Sequence, residues 1–137
     1  MNWNWPNFTQ EELSCPHCDL FRFHPGFLDR LQELRIVLET LRPSRASMRV
    51  TSGCRCIEHN RNIGGHPRSL HIGDETQHLG QQGALAVDVA TPDGAFRGDL
   101  FMLAWERNWS LGWNAKRGFL HLDQRVMVGL PQNSFDY

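Results

Sequence analysis

The hydrophobic residues of this chain recur at helical spacing in one long segment. They are Phe27, Leu28, Leu31, Leu34, Leu38 and Leu41. This spacing predicts an amphipathic helix with one buried apolar stripe, which ends before Pro43. Thr9 and Glu12 have the spacing of a capping box, which predicts a short helix near residue 10.

A second pattern, with a period of two residues, predicts a strand over residues 85–90. Its apolar positions are Leu85, Val87 and Val89. Asp88 therefore lies on the opposite face of this strand. Within residues 119–123, His121 and Asp123 share one face, and the leucines between them point the other way. If the two strands are neighbours, Asp88 and His121 converge on the same side of the sheet.

Shorter patterns and turn residues predict the other elements. These are a strand over residues 48–52 that ends in a turn at Gly53, a second helix over residues 96–107, and a hairpin of residues 111–113 with 119–123. Together the elements predict one α+β domain over residues 1–137, with a small, mainly antiparallel sheet and packed helices. A chain of 137 residues is long enough for one packed core.

The composition excludes several classes of protein. Hydrophobic residues make up 40% of the chain and charged residues 21%, which is typical of a globular domain. The net charge of −1 argues against binding to nucleic acid or to an anionic membrane surface. No segment approaches the roughly 20 apolar residues that span a membrane. The first residues lack a basic and an apolar region, so we expect no signal peptide and a protein that is cytoplasmic as synthesised.

Four short segments carry side chains that suit a catalytic metal site. They are residues 51–55 (TSGCR), 69–71 (SLH), 86–88 (AVD) and 119–123 (FLHLD). Together they offer two imidazoles and one carboxylate, which suit Zn²⁺, and an arginine close by in the sequence. Three protein ligands leave a fourth position for water, as in catalytic zinc sites. The same ligand types also occur in non-haem iron sites, which is a third interpretation.

The segment over residues 51–71 (TSGCRCIEHNRNIGGHPRSLH) resembles the zinc D-Ala-D-Ala carboxypeptidase family, in particular its small bacterial and phage members. The resemblance includes the opening over residues 8–18 (FTQEELSCPHC) and the later AVD and FLHLD segments. It implies a hedgehog/DD-peptidase-like fold. It also implies a zinc enzyme that hydrolyses D-amino-acid-containing peptide bonds of bacterial peptidoglycan by zinc-activated water, as a D,D-carboxypeptidase or a murein endopeptidase.

Further expectations follow from the resemblance. Its partners would be peptidoglycan stem peptides, and we expect a monomer. A chain without a signal peptide that acts on the cell wall needs another route out of the cell, such as the release of a phage or prophage lysin.

The resemblance also assigns roles to individual residues. It implies that His71, Asp88 and His121 are the ligands of one catalytic zinc ion. Arg55 matches the family arginine that binds a substrate carboxylate or polarises the scissile carbonyl. Ser69 matches a serine two positions before the first ligand, where its hydroxyl can support that histidine by a hydrogen bond.

The chain departs from the family pattern between the first two ligands. Residues 72–87 form a longer segment than the family has there. His78 lies closer to Asp88 and follows a threonine by two positions, so it is an alternative first ligand. The spacing from the glycine pair at residues 64–65 favours His71. The extra residues are then a loop beside the site, which acts either as a lid or specificity element or as an inert insertion.

The sequence defines the general base less clearly than it defines the metal ligands. Many relatives carry a carboxylate or a histidine shortly before the last histidine ligand, but residues 113–120 contain neither. Asp123 is the catalytic candidate nearest to His121, and His78 and Glu75 are the alternatives. A site without a working base would be a non-catalytic metal-binding module of the same fold, which is the alternative function.

Four cysteines form two close pairs, Cys15 with Cys18 and Cys54 with Cys56. Disulfides are disfavoured in a chain that is not secreted. Two thiolate pairs are typical of a structural zinc site, so a second zinc ion is one interpretation. A second interpretation is that the cysteines are reduced and packed near one another, and a third is a disulfide.

Overall fold

The computed structural model describes residues 3–74, 80–114 and 116–137. Over these residues the protein has the α+β architecture that the sequence predicts, which confirms the fold class. The elements in chain order are α1 (Gln10–Leu13), α2 (Phe27–Leu41), β1 (Val50–Ser52), α3 (Ile57–Asn62), β2 (Ala86–Ala90), α4 (Gly94–Glu106), β3 (Ser110–Asn114), β4 (Phe119–Asp123), a 3₁₀ helix (Arg125–Val128) and β5 (Ser134–Asp136).

The five strands form one sheet in the order β1-β2-β4-β3-β5. Neighbouring strands are antiparallel except β3 and β5, which are parallel. The predicted hairpin is present as β3 and β4. Strands β2 and β4 are adjacent, and Asp88 lies directly opposite His121. The side chains of directly opposite residues lie on the same face of a sheet, so the register brings this carboxylate and this imidazole together.

The hydrophobic core lies on the other face of β2 and β4. Its fully buried strand residues are Val87, Val89, Leu120 and Leu122. Helix α2 contributes Leu31, Leu34 and Leu38 to the same core, and α4 contributes Leu100. The predicted stripe of α2 is therefore buried except at its end. Leu41 is 47% exposed because it is the last residue of the helix.

The N-terminal segment is hydrogen-bonded to β1 and to the turn that follows this strand. The capping box of Thr9 and Glu12 is present, and Glu12 Oε1 also accepts a hydrogen bond from the backbone N–H of Val50 at 3.1 Å. The backbone N–H of Cys54 donates to the carbonyl oxygen of Leu13 at 2.9 Å. A Cβ atom at Gly53 would lie 2.5 Å from that oxygen, so only glycine permits this approach.

Three elements were not predicted from the sequence: α3, the 3₁₀ helix and β5. Each is short, with six, four and three residues. So few residues do not establish a hydrophobic period. None of the described helices is long and apolar enough to cross a bilayer.

Candidate metal centre and cavity

Two histidines and one aspartate converge on the polar face of the sheet. Asp88 lies on β2, His121 on β4, and His71 in the loop between α3 and β2. Asp88 Oδ1 lies 3.2 Å from His71 Nε2 and 3.0 Å from His121 Nδ1, and the two ring nitrogens are 3.3 Å apart. All three side chains are buried. The structure therefore brings together the three residues to which the resemblance assigned the metal.

The hydrogen bonds of each imidazole leave the inward nitrogen available for a metal. Nδ1 of His71 lies 2.8 Å from the carbonyl oxygen of Gly53, which can only accept a hydrogen bond. Nε2 of His121 lies 2.8 Å from Asp123 Oδ2. When a ring is neutral, its proton then sits on the outer nitrogen, and the inner nitrogen presents its lone pair. This is the usual arrangement around a metal-binding histidine.

The spacing of these three atoms fits zinc. Tetrahedral zinc with nitrogen and oxygen ligands at about 2.0–2.1 Å requires ligand atoms roughly 3.3–3.4 Å apart. The observed separations of 3.0–3.3 Å are close to that value. Three atoms of the described residues converge here, and a tetrahedral metal held by three protein ligands has a fourth position for water or substrate.

Burial and mutual contacts shift the pKa of each of the three residues. Burial acts to raise the pKa of Asp88, but His71 and His121 outweigh it and hold that pKa well below its usual range. Burial lowers the pKa of His71. Burial acts in the same direction on His121, but hydrogen bonds to Asp123 and Asp88 outweigh it, so its pKa is raised. The site therefore combines an anionic carboxylate with one imidazole that is readily neutral, both of which suit a bound cation.

Arg55 lies beside this centre and contacts its carboxylate. The backbone of Arg55 pairs with the segment of the first histidine: its N–H donates to the carbonyl oxygen of His71 at 2.8 Å, and its carbonyl accepts from Gly73 at 2.9 Å. Its guanidinium donates to Asp88 Oδ2 at 3.3 Å and to Asn60 Oδ1 at 3.1 Å. Arg55 is 5% exposed. The arginine thus neutralises the ligand carboxylate from the side opposite the histidines.

Two residues that support Arg55 were not singled out from the sequence as site residues. Asn60, on α3, accepts from Arg55 and donates from Nδ2 to the carbonyl oxygen of His66 at 2.9 Å. A Cβ atom at Gly65 would lie 2.2 Å from Asn60 Oδ1 and 3.1 Å from Arg55 Nη1. Gly65 is therefore required for the close packing of this loop on the arginine. In the sequence, Asn60 and Gly65 belong to the HN and GG pairs of the segment over residues 51–71 that resembles the family.

Asp123, the catalytic candidate of the sequence, is held by hydrogen bonds with His121 and Arg125. It is fully buried, and both of its oxygens accept hydrogen bonds. Oδ2 lies 2.8 Å from His121 Nε2 and 2.7 Å from Arg125 Nη2, and Oδ1 accepts from Arg125 Nε at 2.9 Å. Burial raises the pKa of Asp123, but the hydrogen bonds from Arg125 and His121 outweigh it and lower that pKa. This geometry fits a residue that orients His121 rather than one that receives a proton from water.

Replacing Asp123 with asparagine should weaken zinc binding at this centre by about 10–100-fold, as is typical when the partner of a metal-binding histidine is lost. The amide still accepts a hydrogen bond but lacks the charge that fixes the His121 tautomer. Competition with a chromophoric chelator measures the affinity, and Asp136→Asn, at an exposed carboxylate on β5, is the matched control. An unchanged affinity in Asp123→Asn would contradict the orienting role.

The centre opens into a cavity of about 580 Å³. Asp88, His121 and Arg55 form part of its wall, and Ser69 lies at its edge, where its hydroxyl accepts a hydrogen bond from the backbone N–H of His71 at 3.2 Å. The other polar and aromatic lining residues include Arg68, Arg117, Arg125, Phe119, Phe135 and Tyr137. Among the described residues that line the cavity, Asp88 is the only carboxylate, so the cavity carries a positive charge around its centre.

Tyr137 is a site residue that the sequence motifs did not indicate. Its ring lies over His121 with 4.5 Å between ring centroids, and its hydroxyl is 3.4 Å from Asp88 Oδ2. Burial raises the pKa of Tyr137, so the phenol keeps its proton and can donate it in a hydrogen bond. No motif signals this residue because it reaches the site only through the pairing of β5 with β3.

The four cysteines do not form one group. The Sγ atoms of Cys15, Cys18 and Cys56 lie within 4.8 Å of one another. Cys54 lies elsewhere: its Sγ is 3.5 Å from the carbonyl oxygen of Arg22, and burial raises its pKa to about 11. Cys54 and Cys56 are two positions apart, but Cys56 turns into the cap of α3. The four-cysteine group considered from the sequence is therefore reduced to three.

The extra loop carries two residues that the sequence offered as alternatives, both for the general base and one of them also for the first ligand. Glu75 and His78 lie outside the described residues. Of the two candidates for the first ligand, only His71 lies within the described residues.

Comparison with known proteins adds one finding. A family model described as Peptidase M15 matches residues 6–123. This range covers most of the chain and contains the three converging residues as well as Arg55 and Asp123. Searches of curated proteins and of solved structures give no match.

Proposed function

The chain belongs to the Peptidase M15 family, and from this membership we propose that it is a zinc metallopeptidase that hydrolyses D-amino-acid-containing peptide bonds of bacterial peptidoglycan. The reaction would be that of a D,D-carboxypeptidase or a murein endopeptidase. The observation that carries this proposal is the convergence of His71 Nε2, Asp88 Oδ1 and His121 Nδ1 within 3.3 Å at the wall of a cavity.

The residues of the centre have separate tasks in this proposal. Zinc held by His71, Asp88 and His121 would supply Lewis-acid polarisation of the peptide carbonyl and a water of lowered pKa. Arg55 presents a positive charge beside Asp88, where it can stabilise negative charge that develops on the carbonyl oxygen. The Tyr137 hydroxyl is a second donor on the same side of the centre. Asp123 holds His121 in one tautomer.

The positive lining of the cavity supports a substrate that carries carboxylates. Arg68 and Arg117 line the cavity, and a guanidinium group binds a carboxylate through two parallel hydrogen bonds. Stem peptides of peptidoglycan end in a free carboxylate and carry others along their length. Peptides of this class therefore complement the cavity in charge.

A digest of purified peptidoglycan tests the proposal. The zinc-loaded protein should release products that mass spectrometry identifies: loss of terminal alanine from pentapeptides indicates a carboxypeptidase, and conversion of dimers to monomers indicates an endopeptidase. A chelator should stop the release and added zinc should restore it. A zinc-binding protein with no product beyond that of a His71→Ala, His121→Ala double variant would overturn the proposal.

That negative result would favour the second candidate function, a non-catalytic metal-binding module. One observation supports this alternative. Among the described lining residues no carboxylate other than Asp88 is present, and Asp88 is occupied by Arg55 and the histidines. The described part of the cavity wall thus offers no second carboxylate as general base. His66 also lines it, but this residue is exposed and its Nδ1 accepts a hydrogen bond from the backbone N–H of Arg68 at 3.0 Å. Tight zinc binding without hydrolysis is the result that this module predicts.

A further inference from the structure

We propose that the chain has a second, structural zinc site, formed by Cys15, Cys18 and Cys56 with His17 as the fourth ligand. This site is separate from the cavity. It joins the N-terminal turn to the segment that carries Arg55. The proposal does not depend on the peptidase reaction, because it concerns only the binding of zinc to these four side chains.

The distances between the three sulfur atoms support a tetrahedral metal, and His17 lies beside one of them. The Sγ atoms of Cys15 and Cys56 are 3.7 Å apart, and Cys18 Sγ lies within 4.8 Å of both. Nδ1 of His17 is 3.6 Å from Cys56 Sγ. Tetrahedral zinc with Zn–S bonds of about 2.3 Å requires sulfur atoms roughly 3.8 Å apart. The closest sulfur pair already has this separation, which is far longer than a disulfide bond of about 2.05 Å.

The backbone around these residues has the form of a short metal-binding turn. Cys15 and Cys18 have the two-residue spacing that is common in zinc sites. Two hydrogen bonds close the turn: the N–H of Asp19 donates to the carbonyl oxygen of Cys15, and the N–H of Cys15 donates to that of Leu20, both at 2.8 Å. This closure sets Cys15 and Cys18 on one side of the turn, facing Cys56.

Backbone N–H groups also point at the sulfur atoms. The N–H of Cys56 lies 3.5 Å from Cys15 Sγ, and the N–H of His59 lies 3.3 Å from Cys56 Sγ. Such donors stabilise negative charge on sulfur, which is the state that binds zinc. Cys56 is in addition the N-cap of α3, so its sulfur is held in place by the helix that it caps.

Cys54 shows the contrast. Cys54 lies two positions before Cys56 in the sequence. Its thiol nevertheless faces Arg22 and Gly73 instead of the other three cysteines. It therefore serves as an internal control, since it is a buried cysteine of the same segment that is predicted not to bind the metal.

The position of the site suggests what the metal does. Cys15 and Cys56 are 41 positions apart, and Cys56 directly follows Arg55. A shared zinc ion fixes the distance between the N-terminal turn and the arginine-bearing segment. It complements the hydrogen bond from Cys54 N–H to the carbonyl oxygen of Leu13. The inferred role is thus to hold in place the segment from which Arg55 reaches Asp88.

Metal content of the purified, reduced full chain tests the inference. We expect about two zinc ions per chain in the wild type, about one in Cys18→Ser and about one in His71→Ala, because each variant removes one of two independent sites. Cys18 is exposed, so its substitution leaves the packing of the core intact. Cys54→Ser is the matched control and should retain about two zinc ions.

Cobalt substitution identifies the ligands directly. Cobalt bound to the wild type should show sulfur-to-metal charge-transfer absorption that His71→Ala retains and Cys18→Ser loses. His17→Ala should weaken binding of this second ion by about tenfold or more, as for loss of one ligand.

Several results would overturn the inference. One is a wild type that binds a single zinc ion, which His71→Ala abolishes. Another is a loss of zinc in Cys54→Ser equal to that in Cys18→Ser. A third is an unchanged affinity in His17→Ala. None of these readouts involves hydrolysis, so they separate this inference from the proposed peptidase activity.

Discussion

Asp88→Asn should lower the rate of peptide release from peptidoglycan by at least about 10³-fold, since a bound metal supplies several kcal/mol of transition-state stabilisation. The asparagine has almost the same shape as the aspartate but no charge. It therefore removes the anionic ligand that lies 3.0 Å from His121 Nδ1 and 3.2 Å from His71 Nε2. The substitution also deprives the buried Arg55 of its partner at 3.3 Å. We expect the loss to appear in kcat, together with loss of one zinc ion per chain.

The control for this variant is Asp99→Asn. Asp99 lies on α4, forms an ion pair with Arg42 at 2.7 Å and takes no part in the cavity. Its substitution should leave the rate of hydrolysis unchanged. Thermal melting of both variants separates loss of zinc from loss of fold. A folded Asp88→Asn protein that retains the catalytic zinc and more than a tenth of the activity would contradict the assignment of Asp88 as a ligand.

Arg55→Ala should reduce kcat/KM by about 10²–10³-fold, the usual cost of removing one preorganised donor at a developing negative charge. Arg55 is 5% exposed and its guanidinium contacts Asp88 and Asn60. The way in which the loss divides between kcat and KM reports its role. A fall in kcat indicates stabilisation of the transition state, whereas a rise in KM indicates that Arg55 binds a carboxylate of the substrate.

Arg61→Ala is the matched control for Arg55→Ala. Arg61 lies on α3 and is exposed, and it does not line the cavity. The kinetics of Arg61→Ala should equal those of the wild type. A rate in Arg55→Ala within a factor of about three of the wild type would show that the arginine neither assists the reaction nor positions Asp88 for it, since even one lost hydrogen bond to a charged group costs more than that.

The secondary structure was predictable where a hydrophobic period repeats several times. The period of α2 and the alternation along β2 and β4 are properties of neighbouring residues, and their predicted ranges agree with the structure to within a residue or two. Helix α3 and strand β5 are too short to establish a period. Their positions depend on contacts with distant parts of the chain: α3 through its cap at Cys56, and β5 through its pairing with β3.

The candidate site was predictable in its residue types but not in its contacts. The motifs named His71, Asp88 and His121, and the face on which Asp88 and His121 lie followed from the period of two. The contacts of Asp123 did not follow from the same argument, because both oxygens of this carboxylate accept hydrogen bonds from Arg125, whose position depends on the packing. Asn60 and Gly65 belong to the motif, but only the packing of the loop against Arg55 explains their identity.

The sequence by itself determined the α+β class, the family resemblance and the candidate metal-binding side chains, because each of these depends on residue type and short-range spacing. Only the tertiary structure decided that Tyr137 covers His121, that Asp123 contacts its outer nitrogen, and that Cys56 joins Cys15 and Cys18 while Cys54 points away. Each of these contacts depends on the register of strands or on the docking of loops whose residues are far apart in the chain. A distance of 3–4 Å between such side chains is set by the packing of the whole domain, and no local pattern records it.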